Sequence, residues 1–442
     1  MKIFRFFPAL LLVCLLLSLI SPPALAEGPE TGETGEALTE ALVGPVQTSA
    51  ASAPAGEAPE PPKLTAKAVY LVDLESGFAL YSKDADASRS PASLTKVMTV
   101  LLALEAVERG EVGMDTVITA GLDCQNGMNE DSSSVYIVAG EKMSLKDLLY
   151  CAAVSSGNDA CNVIASYLGG DIPGFVRRMN TRAAELGCTQ TRFVDPNGLS
   201  YDNLTTAYEL YLITRAAMEH PAFMEICDTT AYTVAATNLS NARELKNSNA
   251  LISTQGIYGA SYLYEGAHGV KTGYTRAAGY CLISTAERDG MRLMAIVMGC
   301  DGPYLSDTDT RYNFVDTVLL YDWAFANFKP RTIITAGEVL DYADVALAGG
   351  EARVGLTVRE DVSLPLPINV PLGKEEIVCK IDRSLLIAPI EAGTILGYAA
   401  IQYNGRLLRT VPLVAAEDVA RLFPLDWHKI LSDYMTRIWS TS

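Results

Sequence analysis

Residues 91–99 read Pro-Ala-Ser-Leu-Thr-Lys-Val-Met-Thr, and this stretch decides how the surrounding chain folds. Apolar residues at helical spacing continue from it through Leu102 and stop near Gly110, which predicts a helix that begins at Ser93. Residues three apart lie on the same face of a helix, about one turn from each other. The pattern therefore predicts that the hydroxyl of Ser93 lies within proton-transfer reach of the amine of Lys96.

Two further short motifs follow this stretch in chain order. They are Ser156-Gly157-Asn158 and Lys271-Thr272-Gly273. Each motif alone has an ordinary explanation: Ser93 could be a helix N-cap, the second motif a polar helix junction and the third a strand end before a turn. All three in order and at wide spacing instead match the active-site set of penicillin-recognising serine enzymes.

The first motif predicts a serine nucleophile with a lysine base. A serine hydroxyl becomes nucleophilic only when a neighbouring base removes its proton, and no Gly-x-Ser-x-Gly stretch points to a histidine-based triad. Lys96 is therefore the predicted base. Because lysine ordinarily titrates near about 10.4, a neutral Lys96 requires burial or another cation nearby, and Lys271 is predicted to be that cation.

The remaining patterns predict two folded regions. A β hairpin is predicted at residues 66–81, helices dominate residues 145–224, and strands return at residues 269–272, 279–284 and 293–298. Strands at both ends with helices between them predict one mixed sheet packed by helices. After Lys329-Pro330, short alternating strands at residues 354–358, 377–381 and 394–403 predict a separate small β domain.

Longer stretches around the motifs resemble the D-alanyl-D-alanine carboxypeptidase family. They are residues 91–99, 155–160 and 269–275, and parts of residues 388–415 are similar to that family's C-terminal β domain. The resemblance covers most of residues 64–442. It implies an α/β (α+β) fold: a penicillin-binding/β-lactamase-like transpeptidase domain with mixed sheet and helices, then a small all-β domain and a C-terminal amphipathic helix. It also implies a serine-type carboxypeptidase that removes the terminal D-alanine from peptidoglycan pentapeptide stems and is inhibited covalently by β-lactam antibiotics.

The resemblance assigns a role to each motif. Ser93 forms the acyl-enzyme, Lys96 accepts its proton, and Ser156 and Asn158 relay protons and hold the peptide. The substrate-binding strand carries Lys271, Thr272, Gly273 and Tyr274. In it Lys271 and Thr272 take the terminal carboxylate, with Arg311 as a further candidate, and the backbone N–H groups of Ser93 and Tyr274 form the oxyanion hole.

The sequence departs from the family pattern in one segment. Asp195, Asn197 and Asn203 stand where many relatives have Asn, His and His. We expect these positions to flank the site, so the departures bear on substrate preference more than on activity.

The two termini predict export and membrane attachment. Lys2 and Arg5 precede an apolar run at residues 6–20 and a small-residue cleavage pattern, which predicts a signal peptide at residues 1–26, with an uncleaved anchor as the alternative. Residues 27–62 are acidic, rich in Pro and without aromatics, which predicts a disordered linker. The predicted catalytic domain then occupies residues 63–329 and the β domain residues 330–415. We expect the protein at the outer face of the cytoplasmic membrane or in the cell wall.

Residues 416–442 carry an amphipathic pattern. The apolar face consists of Trp427, Ile430, Leu431, Tyr434, Met435 and Ile438. The run is too short and too charged to span a bilayer, but it suits a helix lying in the membrane interface. A helix docked on the protein's own β domain is the alternative.

Charge and cysteine spacing exclude other classes of protein. The formal net charge of −18 would repel nucleic acid, which is therefore an unlikely partner. Of nine cysteines, eight follow the predicted signal peptide without a Cys-x-x-Cys pair or a His at zinc spacing, so we predict no metal and no cofactor. The spacing leaves open whether these eight form disulfides or are small buried side chains.

Three alternative functions stay open at this point. A class A β-lactamase shares two of the motifs, but its deacylating Glu lies in a Glu-x-x-Leu-Asn signature, and no Leu-Asn pair occurs here. A D,D-endopeptidase would share all three motifs and differ in the shape of its groove. A non-enzymatic wall-binding protein would have no chemical reason to keep Ser93, Lys96 and Lys271 together.

Overall fold

A computed structural model describes residues 59–422, apart from residues 256–258, 304, 306–308, 349–351, 370–374, 383–384 and 404–405. The predicted signal peptide, most of the predicted linker and most of the predicted C-terminal helix lie outside these described residues. The last linker residues are described, and the indole N–H of Trp323 donates to the carbonyl oxygen of Pro59 at 3.2 Å. Among the helices of residues 59–422, gaps aside, none is both long enough and apolar enough to cross a membrane.

The described part of the first folded region contains nine strands. In chain order they are β1 (Ala68–Asp73), β2 (Ala79–Lys83), β3 (Val117–Thr119), β4 (Lys142–Ser144), β5 (Ala231–Val234), β6 (Arg243–Lys246), β7 (Ala267–Thr275), β8 (Gly279–Arg288) and β9 (Met291–Cys300). β1 and β2 form the predicted hairpin, with Val69 opposite Lys83. β7, β8 and β9 form an antiparallel meander at the predicted positions.

The central sheet has the strand order β2-β1-β9-β8-β7. Each of its pairings is antiparallel, so the prediction of a sheet with mixed strand directions is wrong in that respect. The physical reason is that short hairpin connections join β1 to β2 and β7 through β9, and hairpins produce only antiparallel neighbours. β9 and β1 also run antiparallel, and their pairing joins the hairpin to the meander. The sheet therefore contains no parallel pair.

Both faces of this sheet are covered. In β1, Tyr70 and Val72 belong to one hydrophobic cluster, whereas Val69 and Leu71 belong to another. Alternate side chains of a strand point to opposite faces, so the sheet separates two cores. The first core contains most of the helices, and the second continues into the C-terminal β domain.

Seven helices of the described chain surround this sheet. They are α1 (Lys96–Glu108), α2 (Leu145–Ala153), α3 (Asn158–Gly169), α4 (Ile172–Glu185), α5 (Ala207–Met218), α6 (Pro221–Asp228) and α7 (Tyr312–Asn327). The helical region predicted at residues 145–224 is confirmed. Side-chain oxygens of Ser144, Asp171 and Thr206 accept backbone N–H groups at the starts of α2, α4 and α5, as helix N-caps do.

The helix predicted to begin at Ser93 begins three residues later. Ala92–Thr95 form a 3-10 turn, and α1 starts at Lys96. The turn has the tighter i to i+3 hydrogen bonding of a 3-10 helix, in which the N–H of Leu94 donates to the carbonyl of Pro91 at 3.2 Å, and the positive φ of Ala92, 49°, ends any helical geometry before Ser93. Ser93 makes no side-chain cap, and the N-cap explanation for this residue is excluded.

The second region is all β, as predicted. Its strands are β10 (Phe328–Ile334), β11 (Asp341–Ala346), β12 (Arg353–Thr357), β13 (Val362–Pro367), β14 (Glu375–Ile381), β15 (Leu386–Ile387), β16 (Ile395–Tyr403) and β17 (Arg406–Ala415). Six of them form a sheet in the order β14-β16-β17-β12-β11-β15, and β10 pairs with β13. The chain stays bonded to this region beyond residue 415, because the N–H of Leu422 donates to the carbonyl of Leu347 at 2.9 Å.

The eight described cysteines are all free thiols, and every one except Cys379 is buried. Cys281 and Cys300, for example, belong to opposite hydrophobic clusters of the central sheet. Of the two possibilities left open by the spacing, the structure favours small buried side chains.

Candidate active site

The amine of Lys96 is the centre of the predicted site. Its side chain is 0% exposed. Its Nζ donates to Ser93 Oγ at 2.8 Å, to Asn158 Oδ1 at 2.7 Å and to the carbonyl oxygen of Asn197 at 2.8 Å. The first two motifs of the sequence therefore meet at one buried amine, which satisfies all three donors of an ammonium group.

The turn that carries Ser93 is held between two glycines. A Cβ atom on Gly273 of β7 would lie 3.0 Å from the Pro91 carbonyl oxygen and 3.2 Å from the Ser93 nitrogen. Gly198 has a φ of +86°, and a Cβ there would lie 1.8 Å from the carbonyl oxygen of Ala92. Both glycines are needed for close approach of the backbones. The clamped turn leaves Ser93 half-buried beside a fully buried amine.

The second motif lies at the start of α3. Asn158 is the first residue of this helix, and its N–H donates to the carbonyl of Ser133 at 2.9 Å. Next to it, the buried carboxylate of Asp159 accepts the N–H of Ile137 at 3.0 Å, which fastens the neighbouring loop. Ser156 is buried with a φ of 59°, and its hydroxyl makes no hydrogen bond to another described residue. Asn158 therefore contacts Lys96 directly, whereas Ser156 makes no such contact.

The third motif lies on β7, at the edge of the central sheet. Lys271 is 3% exposed, and its Nζ donates to the carbonyl of Thr272 at 3.0 Å. The hydroxyl of Thr272 lies 2.6 Å from the hydroxyl of Ser248. The ring of Tyr274 stacks on Tyr280 with centroids 4.3 Å apart, which fixes the strand beyond Gly273.

Both lysines titrate well below their usual range. Burial lowers the pKa of Lys96 to about 8. Burial, followed by the positive charge of Lys96, lowers the pKa of Lys271 to about 7. Of the two causes that the sequence left open for a lowered pKa of Lys96, burial is the one that acts, and the charge of Lys271 is not among the causes of that shift. Two buried amines that repel each other hold fewer than two protons near neutral pH.

Comparison with known proteins identifies the family. A model of the family described as D-alanyl-D-alanine carboxypeptidase matches residues 55–302, and a model of the C-terminal domain of penicillin-binding protein 5 matches residues 328–421. The chain belongs to the D-alanyl-D-alanine carboxypeptidase family. The predicted family and activity class are thereby confirmed, as is the predicted fold class of a transpeptidase domain with helices and sheet followed by an all-β domain.

Relatives and solved structures agree over both regions. D-alanyl-D-alanine carboxypeptidase DacF of Bacillus subtilis is 29% identical over 80% of this chain and 86% of its own length. The crystal structure of penicillin-binding protein 5 from Haemophilus influenzae matches with a TM-score of 0.68 at 26% identity, over 82% of this chain and 100% of that chain. Penicillin-binding protein D2 from Listeria monocytogenes, solved in its cefotaxime-bound form, matches with a TM-score of 0.51 at 30% identity, over 60% of this chain and 100% of its own.

Two contacts in this D-alanyl-D-alanine carboxypeptidase were not predicted. Asn197 was expected to flank the site, but its backbone carbonyl accepts a hydrogen bond from Lys96. Every residue has a backbone carbonyl, so the residue type at position 197 does not reveal this contact. The Pro-Asn-Gly sequence there does predict a turn. Ser248 belongs to no motif; the neighbouring Asn249 donates from Nδ2 to the carbonyl of Gly269 in β7 at 2.6 Å, which brings this segment next to Thr272.

Two further residues named from the sequence, Asn203 and Arg311, have other contacts. Asn203 is structural, since its Oδ1 accepts the N–H of Val194 at 2.9 Å. Arg311 precedes α7, and its guanidinium lies over the ring of Tyr280, 5.0 Å from the centroid.

Proposed function

We propose that this protein removes the terminal D-alanine from peptidoglycan pentapeptide stems through an acyl-enzyme on Ser93. The observation that carries the proposal is the 2.8 Å contact between Ser93 Oγ and the buried Nζ of Lys96. A neutral Lys96 has two N–H groups for Asn158 and Asn197 and a lone pair that faces the serine hydroxyl. This arrangement matches what a nucleophile and its general base require.

In acylation, Ser93 Oγ attacks the carbonyl carbon of the last peptide bond as its proton moves to Lys96. The negative charge on the carbonyl oxygen is stabilised by the backbone N–H groups of Ser93 and Tyr274. The intermediate collapses by breaking its C–N bond, and the proton of Lys96 passes by way of Ser156 to the departing nitrogen of D-alanine. Water then attacks the ester, Lys96 takes its proton, and Ser93 recovers a proton as the tetrapeptide leaves.

The third motif is assigned to recognition of the terminal carboxylate. Lys271 supplies a positive charge, Thr272 supplies a hydroxyl, and Gly273 lets the strand approach the Ser93 turn. A carboxylate beside Lys271 favours its protonated form, and the resulting repulsion favours the neutral form of Lys96. Substrate binding therefore prepares the base, and acylation should gain from rising pH until Lys271 loses its proton.

Release of D-alanine tests this function. Wild-type protein should release D-alanine from a synthetic pentapeptide, and Ser93→Ala should lower the rate by about 10⁴-fold or more, because no other described residue replaces the nucleophile. The measurement is chromatographic detection of D-alanine and tetrapeptide, with circular dichroism to confirm that the variant is folded. Wild-type cleavage of cross-linked dipeptides without D-alanine release from pentapeptide would instead indicate an endopeptidase, and no cleavage of either would indicate a wall-binding protein.

We also propose that the protein is exported and attaches to the membrane surface through its C-terminal segment. The support is the sequence pattern of residues 1–26 and the apolar face that includes Trp427 and Ile438. Because Leu422 still bonds to the β domain, a clean truncation removes residues 423–442. We expect the truncated enzyme to stay active and to move from the membrane fraction to the soluble fraction. Membrane retention of the truncated form, or failure of the full chain to bind vesicles of anionic lipid, would contradict the assignment.

A further inference from the structure

The segment of residues 194–200, which we call the Asp195 turn, is organised by one carboxylate. Asp195 Oδ1 accepts the N–H of Asn197 at 3.1 Å and the N–H of Gly198 at 2.6 Å. Its Oδ2 accepts the N–H of Ser200 at 2.6 Å. Three backbone N–H groups on one carboxylate fix the backbone around it.

This turn is fastened to the helix that carries the base. The carbonyl of Pro196 accepts the hydroxyl of Thr99 at 2.6 Å, and the carbonyl of Asn197 accepts Lys96 Nζ at 2.8 Å. Both donors belong to α1. The side chain of Asn197 adds a contact to α3, because its Nδ2 donates to Asn162 Oδ1 at 3.0 Å. The backbone geometry set by Asp195 therefore decides where one of the three acceptors of Lys96 lies.

The same carboxylate acts on Lys96 through its charge. The electrostatic neighbours of Lys96 are Asp195 from the turn, Asp159 and Cys161 from α3, and Lys271 from β7. Burial lowers the pKa of Lys96, and Cys161, Asp195 and Asp159, in that order, oppose this effect because negative charge favours the protonated amine. Asp159 also binds the backbone of the loop around Val135 and Ile137, whereas Asp195 binds the turn that contacts Lys96 itself.

We propose that Asp195 is a positioning residue for the acylation base: its carboxylate builds the turn that holds Lys96 Nζ towards Ser93, and the same carboxylate contributes a negative charge to the surroundings of that amine. The proposal rests on the function proposed above, in which neutral Lys96 receives the proton of Ser93. From the sequence alone, Asp195 is expected only to flank the site, whereas the proposal gives it a role in positioning the base. Asp195 acts through Lys96 and needs no contact with the substrate.

Three variants separate the charge of Asp195 from its place in the turn. Asp195→Asn removes the charge and keeps an acceptor oxygen at Oδ1. Asp195→Glu keeps the charge and displaces the carboxylate. The matched control is Asp202→Asn, which removes a carboxylate from an exposed side chain on the adjoining loop, where solvent screens the charge.

The measurement is the rate of acylation by a fluorescent penicillin between pH 5 and 10, taken under single-turnover conditions. Removing a negative charge destabilises protonated Lys96, so the acid limb of the Asp195→Asn profile should move to lower pH. At the acid end of the profile, the rate of Asp195→Asn divided by its plateau rate should be at least about threefold higher than the same ratio for wild type. Asp195→Glu should keep the limb of wild type and lose plateau rate, and Asp202→Asn should match wild type in both.

The outcomes decide between a positioning role and a merely structural one. An Asp195→Asn limb that coincides with those of wild type and Asp202→Asn overturns the proposal, as does an Asp195→Glu limb that shifts as far as that of Asp195→Asn. If Asp195→Asn does not fold, the Asp195→Glu profile still decides the question, because a shifted limb in a variant that keeps the charge contradicts the role of that charge. Failure of the proposed function is distinct, since wild-type protein would then show no acylation of Ser93 at any pH.

Discussion

Replacement of Lys96 by methionine should lower the rate of acylation by a β-lactam at least about a thousandfold, which is the size of effect that loss of a positioned general base produces. In the described part of the chain, Lys96 is the one residue whose side chain contacts Ser93 Oγ, Asn158 Oδ1 and the Asn197 carbonyl together. Methionine is unbranched and of similar length, so it fills the fully buried position without offering a base. Stopped-flow acylation kinetics measure the loss, and thermal unfolding confirms that the variant is folded.

The comparison variant is Lys271→Ala, which removes the other buried amine of the pair. Because Lys271 is assigned to the terminal carboxylate, this variant should mainly raise the substrate concentration needed for half-maximal rate. It also removes a neighbouring positive charge that disfavours protonated Lys96, so the base of the variant should become available only at higher pH than in wild type. Equal acylation rates in Lys96→Met and wild type would show that another group takes the proton of Ser93.

Local patterns were sufficient to predict the main elements of this fold. The hairpin of β1 and β2 and the meander of β7 through β9 follow from alternation and turn residues, because each contact joins residues that are close in the chain. Ser93 and Lys96 were placed together for the same reason, since their separation of three residues fixes their distance whether the turn is 3-10 or α-helical. The small β domain followed from its short strands.

Features that depend on distant contacts could not be predicted. The direction in which β9 meets β1 is decided by how two hairpins dock, and neither hairpin encodes it alone. α1 starts at Lys96 rather than Ser93 because residues 92–95 form a 3-10 turn, which is packed against Gly198 and Gly273 from distant parts of the chain. The pKa of Lys96 depends on burial, which appears only when the segments have assembled.

The same limit explains the residues that were missed. A carbonyl oxygen belongs to every residue, so nothing in the chemical identity of Asn197 marks it as a partner of Lys96. Its role emerges from the turn that Asp195 builds and from the contact of that turn with α1. Ser248 reaches Thr272 across 24 positions of sequence, and no pattern of spacing predicts a contact between two hydroxyl groups at that distance.

The central claim is that Ser93 becomes acylated, and the location of a β-lactam adduct tests it most directly. Wild-type protein should be incubated with a penicillin, digested and mapped by tandem mass spectrometry beside Ser93→Ala and, as a control for a neighbouring serine of the site, Ser156→Ala. The account predicts one stoichiometric adduct on the peptide that contains Ser93 in wild type, none in Ser93→Ala, and a slower adduct still on Ser93 in Ser156→Ala. An adduct on another residue of wild type, or an equal yield from Ser93→Ala, would contradict the account.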